Sequence, residues 1–180
     1  MLTAQQYAIY KGMSGKFGAV QFNFQNPHLY HPETKEKDWS GTKFTFDDGT
    51  KAKVREGCVF VTITSAKGKN DYNWDEKITV ALSVNDLGQI LYFLRSGKNA
   101  KNGEAELKLM HDPGAKSAAS GKVQKHITLN SPNGIAKGFL FNVAQLSGQD
   151  RKFHTVPISG DETMVLSTLF QTAISRALAW

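Results

Sequence analysis

The run from Tyr72 to Gly97 changes its hydrophobic period once, and that change constrains the rest of the chain. Trp74, Ile78, Val80 and Leu82 fall on alternate positions, the spacing of one face of a strand. From Leu87 the period becomes helical, with Ile90, Leu91 and Leu94 completing an apolar stripe. Ser83 and Asp86 at the junction have the chemistry of a helix N-terminus, and Gly97 is placed to stop the helix in the left-handed conformation. A strand that runs straight into a short capped helix predicts a hinge between two halves of one domain.

The flanking segments predict the same unit twice. Residues 5–12, 16–25 and 58–65 read as strands, with 43–46 a shorter one closed by Asp47-Asp48-Gly49. Asn26 to Asp38 contains Pro27, Pro32 and a charge run, and reads as a loop. After the helix, residues 104–110, 122–130, 138–146 and 152–158 alternate as strands, the last two joined by Ser147-Gly148-Gln149-Asp150. Ser159, Asp161 and Glu162 then open a second helix running to Trp180. Its apolar face is wider than one sheet needs, so it predicts burial against a second copy of the chain or deep in its own core. The expected fold is α+β, four strands and a helix followed by four strands and a helix, as one domain over residues 1–180.

Composition narrows the chemistry. The net charge of +6 and a pI near 9.4 suit a polyanionic partner, and equally suit a surface that merely stays solvated. No acidic residue precedes Glu33, and seven Lys or Arg residues stand from Arg95 to Lys125 against three acids. Cys58 is alone, which excludes an internal disulfide and a cysteine zinc site and favours a reducing compartment. No apolar run is long enough to cross a bilayer, and no targeting segment is evident, so a cytoplasmic setting is expected, bacterial or in a virus-infected cell.

Enzyme signatures are missing from the sequence: no nucleophile elbow, phosphate-binding loop, zincin helix or dinucleotide glycine pattern occurs. His28 and His31 with Asp38 are a thin set for a metal, and His111-Asp112 reads as a turn before it reads as an acid/base pair. A metal-dependent nuclease would have to draw on His28, His31, His111 and Asp112, and no metal or other cofactor is expected. Aromatic and basic residues lie side by side instead, as in Tyr10-Lys11, Lys16-Phe17, Tyr72-x-Trp74 with Lys77, and Lys152-Phe153. Rings that stack on bases and cations that meet phosphates are how single strands are held. Alternation alone assigns none of these rings to the core or to solvent.

Three motifs carry a family resemblance: Met110-His111-Asp112-Pro113 with Gly121-Lys122-Val123, Tyr72-x-Trp74-x-x-Lys77 running on to Ser83-x-x-Asp86-x-Gly88, and Val156-Pro157-Ile158 with Ala179-Trp180. Together they resemble the Whirly family from about Tyr7 to the C-terminus. The resemblance implies two four-stranded antiparallel sheets packed crosswise, a homotetramer joined through helices, and single-stranded DNA bound with little sequence preference. Lys11, Lys16, Lys77, Lys122, Lys125 and Lys152 would then meet phosphates, while Tyr10, Phe17, Phe22, Tyr72 and Trp74 would meet bases. The family's first motif is interrupted after Lys11-Gly12, and the Asn26–Asp48 connection is longer than the family's usual one. The expected role is protecting or organising exposed strands in replication, repair or recombination, without enzymatic activity. The rivals are an RNA chaperone of the guide-RNA-binding type, a metal-dependent nuclease, and a scaffold whose charge is incidental.

Overall fold

The computed structural model describes residues 6–12, 17–111 and 123–178. Strands β1 (Gln6–Tyr10), β2 (Gly18–Gln25), β6 (Cys58–Gly68), β7 (Asp71–Tyr72) and β8 (Ile78–Leu82) form the first antiparallel sheet. β6 is central, pairing β2 on one side and β7 and β8 on the other. The second sheet is a meander of β9 (Glu106–His111), β10 (Val123–Asn130), β11 (Phe139–Ser147) and β12 (Asp150–Ile158). Helix α1 (Val84–Ser96) follows the first sheet and α2 (Gly160–Ala177) the second, as the periodicity predicts.

Alternation decides the layering. Val20 and Phe22, Val59, Val61 and Ile63, and Ile78, Val80 and Leu82 bury one face of the first sheet. Leu107, Leu109, Ile127, Leu129, Phe141, Val143 and Val156 bury one face of the second. The faces close on one continuous core, with β12 lying over β2 and β6 and the helices packed on each other. Phe22 sits at its centre, edge-on to Phe141 and Phe170 at 5.9 and 5.5 Å.

Both helix starts use their expected capping residues. The Ser83 N–H donates to the Asp86 carboxylate at 2.8 Å, and the Ser83 hydroxyl accepts from the Asp86 N–H at 3.3 Å. Gly97 ends α1 at φ 69°, a left-handed position that suits glycine. At α2, the Glu162 carboxylate accepts from the Ser159 N–H at 2.8 Å.

The first half departs from the expected strands in three places. The segment from Tyr72 to Leu82 is broken by a 3-10 turn at Trp74–Glu76, so Trp74 leaves the strand and its face. Lys43–Phe46 contributes a single bridge, Thr45 to Lys51, rather than a strand. The Asn26–Asp38 loop instead holds β3 (His28–Tyr30) and β4 (Lys37–Asp38), which join β5 (Lys53–Arg55) in a third, small sheet.

That small sheet continues the central hairpin. Gln25 pairs with Cys58 at the end of one ladder and His28 pairs with Arg55 at the start of the next, so the register carries across. Asn26-Pro27 and Glu56-Gly57 interrupt the pairing, and Pro27 has no N–H to offer it. Gly57 donates to the Ala177 carbonyl at 3.2 Å, and a Cβ there would stand 2.8 Å from Ala177 Cα and from the Gln25 oxygen. The C-terminal turn of α2 therefore clamps the base of a projecting β-arm. Sequence patterning missed the arm because its strands are two or three residues long, too short to show a period.

Two outcomes follow from these contacts. Gly57→Ala forces backbone apart at the clamp and should lower stability by about 1–3 kcal/mol in chemical denaturation. In the arm, the Ser40 hydroxyl and the Lys43 N–H hold the Asp38 carboxyl at about 2, down from 3.8. The Thr50 N–H and His31 do the same for Asp48, also to about 2 from 3.8. Stabilisation from these lowered carboxyls is complete above 3.8 and is lost as pH falls through about 2. The amide resonances of Thr42 and Thr50 should therefore titrate with midpoints near 2, not 3.8.

Candidate nucleic-acid interface

With both inner faces committed to the core, the outer faces of the two sheets are what the fold offers to a partner. On the first sheet three rings meet. Tyr10 and Tyr72 lie 5.3 Å apart between centroids, and Tyr72 and Trp74 lie 6.3 Å apart. β2 and β6 separate Tyr10 from Tyr72 in the sheet, so the two rings reach toward each other over the outward residues Ala19 and Thr64. This accounts for Ala19 and Thr64 being 0% exposed on an outward face. The Gly12 N–H donates to the Tyr72 hydroxyl at 3.0 Å and fixes that ring. Tyr10 remains 52% exposed, while Tyr72 and Trp74 are half-buried.

The remaining predicted residues divide. Phe17 is half-buried just before β2, and Lys77 is exposed just after the 3-10 turn, within the same segment as Trp74. Lys11 forms an ion pair with Glu162 at 2.8 Å and so reaches α2. Although burial opposes its ionisation, Glu162 is held below the usual carboxylate range by Lys11 and by Ser159.

Lys125 and Lys152 stand at the seam between the sheets. Lys125 donates to the Thr79 carbonyl at 2.7 Å, and burial pulls its ammonium below the ordinary lysine value. Lys152 pairs with Glu76, whose carboxyl it holds down, and His154 Nε2–H donates to the Glu76 carbonyl at 2.8 Å. These contacts tie β10 and β12 to β8 and to the 3-10 turn of the first half.

Phe22 requires a correction. At 1% exposure it is core, and its even position on β2 shares the inward face with Val20, so it is closed to stacking on a base. Lys16 and Lys122 lie outside the described residues.

The outer face of the second sheet carries a group that sequence reasoning missed. Cross-strand register places Met110, His126, Ala144 and Phe153 in one row, with Lys108, Thr128, Asn142 and Thr155 in the next. Met110 is 66% and Phe153 51% exposed, and the Arg151 guanidinium stands 5.9 Å from the Phe153 ring centre. Neighbours on a strand point to opposite faces, so in the Lys152-Phe153 pair only the ring faces outward. The alternation of Leu107 and Leu109 inward contained this signal, since it leaves Lys108 and Met110 for solvent.

The histidine sets proposed for metal do not converge. His31 Nε2 contacts Asp48 at 2.8 Å while its Nδ1 accepts from the Glu33 and Thr34 N–H groups. The Asp38 carboxylate is taken up by Ser40, Thr42 and Lys43. His111 faces Asp86 at 3.6 Å, and Asp112 lies outside the described residues.

Residues 38–169 match the family model described as Whirly transcription factor. Among known proteins, the mitochondrial single-stranded DNA-binding protein WHY2 of Arabidopsis thaliana is 24% identical over 136 residues, covering 74% of this chain and 53% of that protein. The chloroplastic single-stranded DNA-binding protein WHY1 of Solanum tuberosum is 28% identical over 138 residues, covering 74% and 46%. Its counterpart in Zea mays is 25% identical over 176 residues, covering 97% and 56%. The chain thus spans about half the length of these relatives, each of which is named for binding rather than for a reaction.

Among solved structures, WHY1 of Arabidopsis thaliana superposes with a TM-score of 0.71 at 21% identity, over 97% of this chain and 85% of that one. The plant transcriptional regulator PBF-2 gives 0.68 at 22%, over 97% and 82%, and so shares the fold. No described helix is long and apolar enough to cross a membrane. With the family model covering well over half of its residues and the same pair of sheets and helices beneath it, the chain belongs to the Whirly family.

Proposed function

We propose that this chain is a non-enzymatic protein that binds single-stranded DNA with little sequence preference. The observation that carries this reading is the Tyr10–Tyr72–Trp74 group, three adjoining rings on an outward sheet surface with exposed Lys77 beside it. Such rings stack on any base, which gives affinity without sequence readout. Lys77 and Arg151 are exposed cations placed for phosphates, Lys108 lies on the same outer face paired to Glu106, and Phe153 with Met110 extends the apolar surface onto the second sheet.

The role that follows is protection or organisation of exposed strands in replication, repair or recombination, in a reducing, cytoplasmic setting consistent with the lone Cys58. The working form is a homo-oligomer, a tetramer joined through α2. In support, α2 leaves Met164 70% exposed, and its 46% exposed Val165 lines an apolar groove with Phe22, Phe24 and Val59. An RNA chaperone is the second reading, because stacking rings accept either polymer and only a contact to the 2′-hydroxyl separates them.

Titration with oligo-dT, duplex DNA and matched RNA tests the proposal. Affinity should favour single strands and fall with salt at a logarithmic slope of about −0.7 per phosphate neutralised, quenching tryptophan fluorescence. Tyr10→Ala and Trp74→Ala should each weaken oligo-dT binding by about 1–3 kcal/mol while leaving the fold intact by circular dichroism. Equal affinity for duplex, or binding indifferent to salt, overturns the reading.

A further inference from the structure

Beyond the sheet surfaces, we infer that the β-arm formed by β3, β4 and β5 is a second contact for the same polynucleotide, an inference that rests on the single-strand reading above. Directly paired residues share a face, so Lys37, Tyr30 and Lys53 form one row and His28 and Arg55 the next. Trp39 stacks on His28 at 4.2 Å between centroids and is 53% exposed. The result is an aromatic strip edged by three cations.

Charge is sorted within the arm. From His28 to Gly57 the six Lys and Arg residues equal the six Asp and Glu residues in number, so the segment is neutral as a whole. Four of the acids are occupied internally. Asp38 and Asp48 accept turn N–H groups, while Glu36 and Asp47 share Lys43. Among the described residues, Lys37, Lys53 and Arg55 form no ion pair with a carboxylate. Lys37 stands over Trp39 at 5.4 Å, leaving its charge at the ring surface. Asp48, Glu36 and Asp47 stay at the surface but are engaged by turn groups and Lys43. Lys37, Lys53 and Arg55, by contrast, share one face of the arm and give it a local row of cations that complements a phosphate backbone.

The strip lies on the same central hairpin as the first site but continues its other side. Tyr30 and His28 share the parity of the inward Val20 and Phe22 while Tyr10 pairs with the outward Ala19, so a strand touching both must pass round the hairpin's edge. β2 runs from beneath the Tyr10–Tyr72 pair to the base of the arm, and the unbroken hairpin register carries its path into β3. Ala19 and Tyr30 are separated by up to about 36 Å of strand at roughly 3.3 Å per residue. A short oligonucleotide occupies one surface, and only a long one reaches both. The alternative use of these cations is to keep the arm's edges from pairing with other strands.

The test compares the unmodified 180-residue chain with the variant Lys37→Ala/Lys53→Ala/Arg55→Ala, and separately with Trp39→Ala. Each is titrated with oligo-dT of about 6 and about 30 nucleotides across a salt series. Both variants should bind the short oligonucleotide as the unmodified protein does and lose about tenfold on the long one. The triple variant's salt slope on the long oligonucleotide should shrink by about 2, at roughly 0.7 for each phosphate no longer neutralised. A triple variant that keeps full affinity for the long oligonucleotide, or that loses equally on both lengths, overturns the arm contact alone. Retained affinity with new self-association overturns it too and assigns the charges to edge protection. If the unmodified protein binds neither length, the single-strand reading falls and the arm contact with it.

Discussion

Burial of one face of each sheet against the other is the constraint on which the structure depends. Val61, Ile63, Ile127, Phe141 and Val156 are all fully buried within one core, so each strand has one side committed and one side free. Burying a side chain of this size contributes about 1.5–3 kcal/mol, enough that no strand can turn over without unfolding the domain. The outward residues are therefore held on a rigid support. They can be selected for contact with a partner at little cost to the fold.

The seam between the sheets carries the polar part of the same constraint. Lys125 and Lys152 look like ligand-binding cations when read by charge, yet one donates to the Thr79 carbonyl and the other pairs with Glu76. Lys125 is partly buried and finds its acceptor across the seam, while Lys152 meets Glu76 at the seam's exposed rim. His154 joins them through the Glu76 carbonyl. Exposed cations beside the outer sheet faces include Lys77 and Arg151, with Lys108 paired to Glu106.

The arm shows how a fold gains surface without a new core. Two central strands continue past the sheet edge, and their register survives an interruption at Pro27 and Gly57. Its own apolar centre is slight, with Leu29 and Phe46 each 5% exposed and Val54 left 71% exposed. Turn hydrogen bonds around Asp38 and Asp48, with the clamp from α2, supply the remaining order.

Both helices, their caps and the strands of the second half were legible in the sequence, because their periods persist over enough residues and Ser83, Asp86, Gly97, Ser159 and Glu162 act within one turn. The sequence by itself also determined that rings and cations crowd the strands. Tertiary structure alone decided which of them face a partner. Phe22 and Tyr10 are equally aromatic and equally strand-borne, yet Phe22 fills the space between sheets and α2 while Tyr10 meets Tyr72 outside. The physical reason is that alternation fixes relative sidedness within one strand, whereas absolute sidedness is set by which faces of distant strands bury each other.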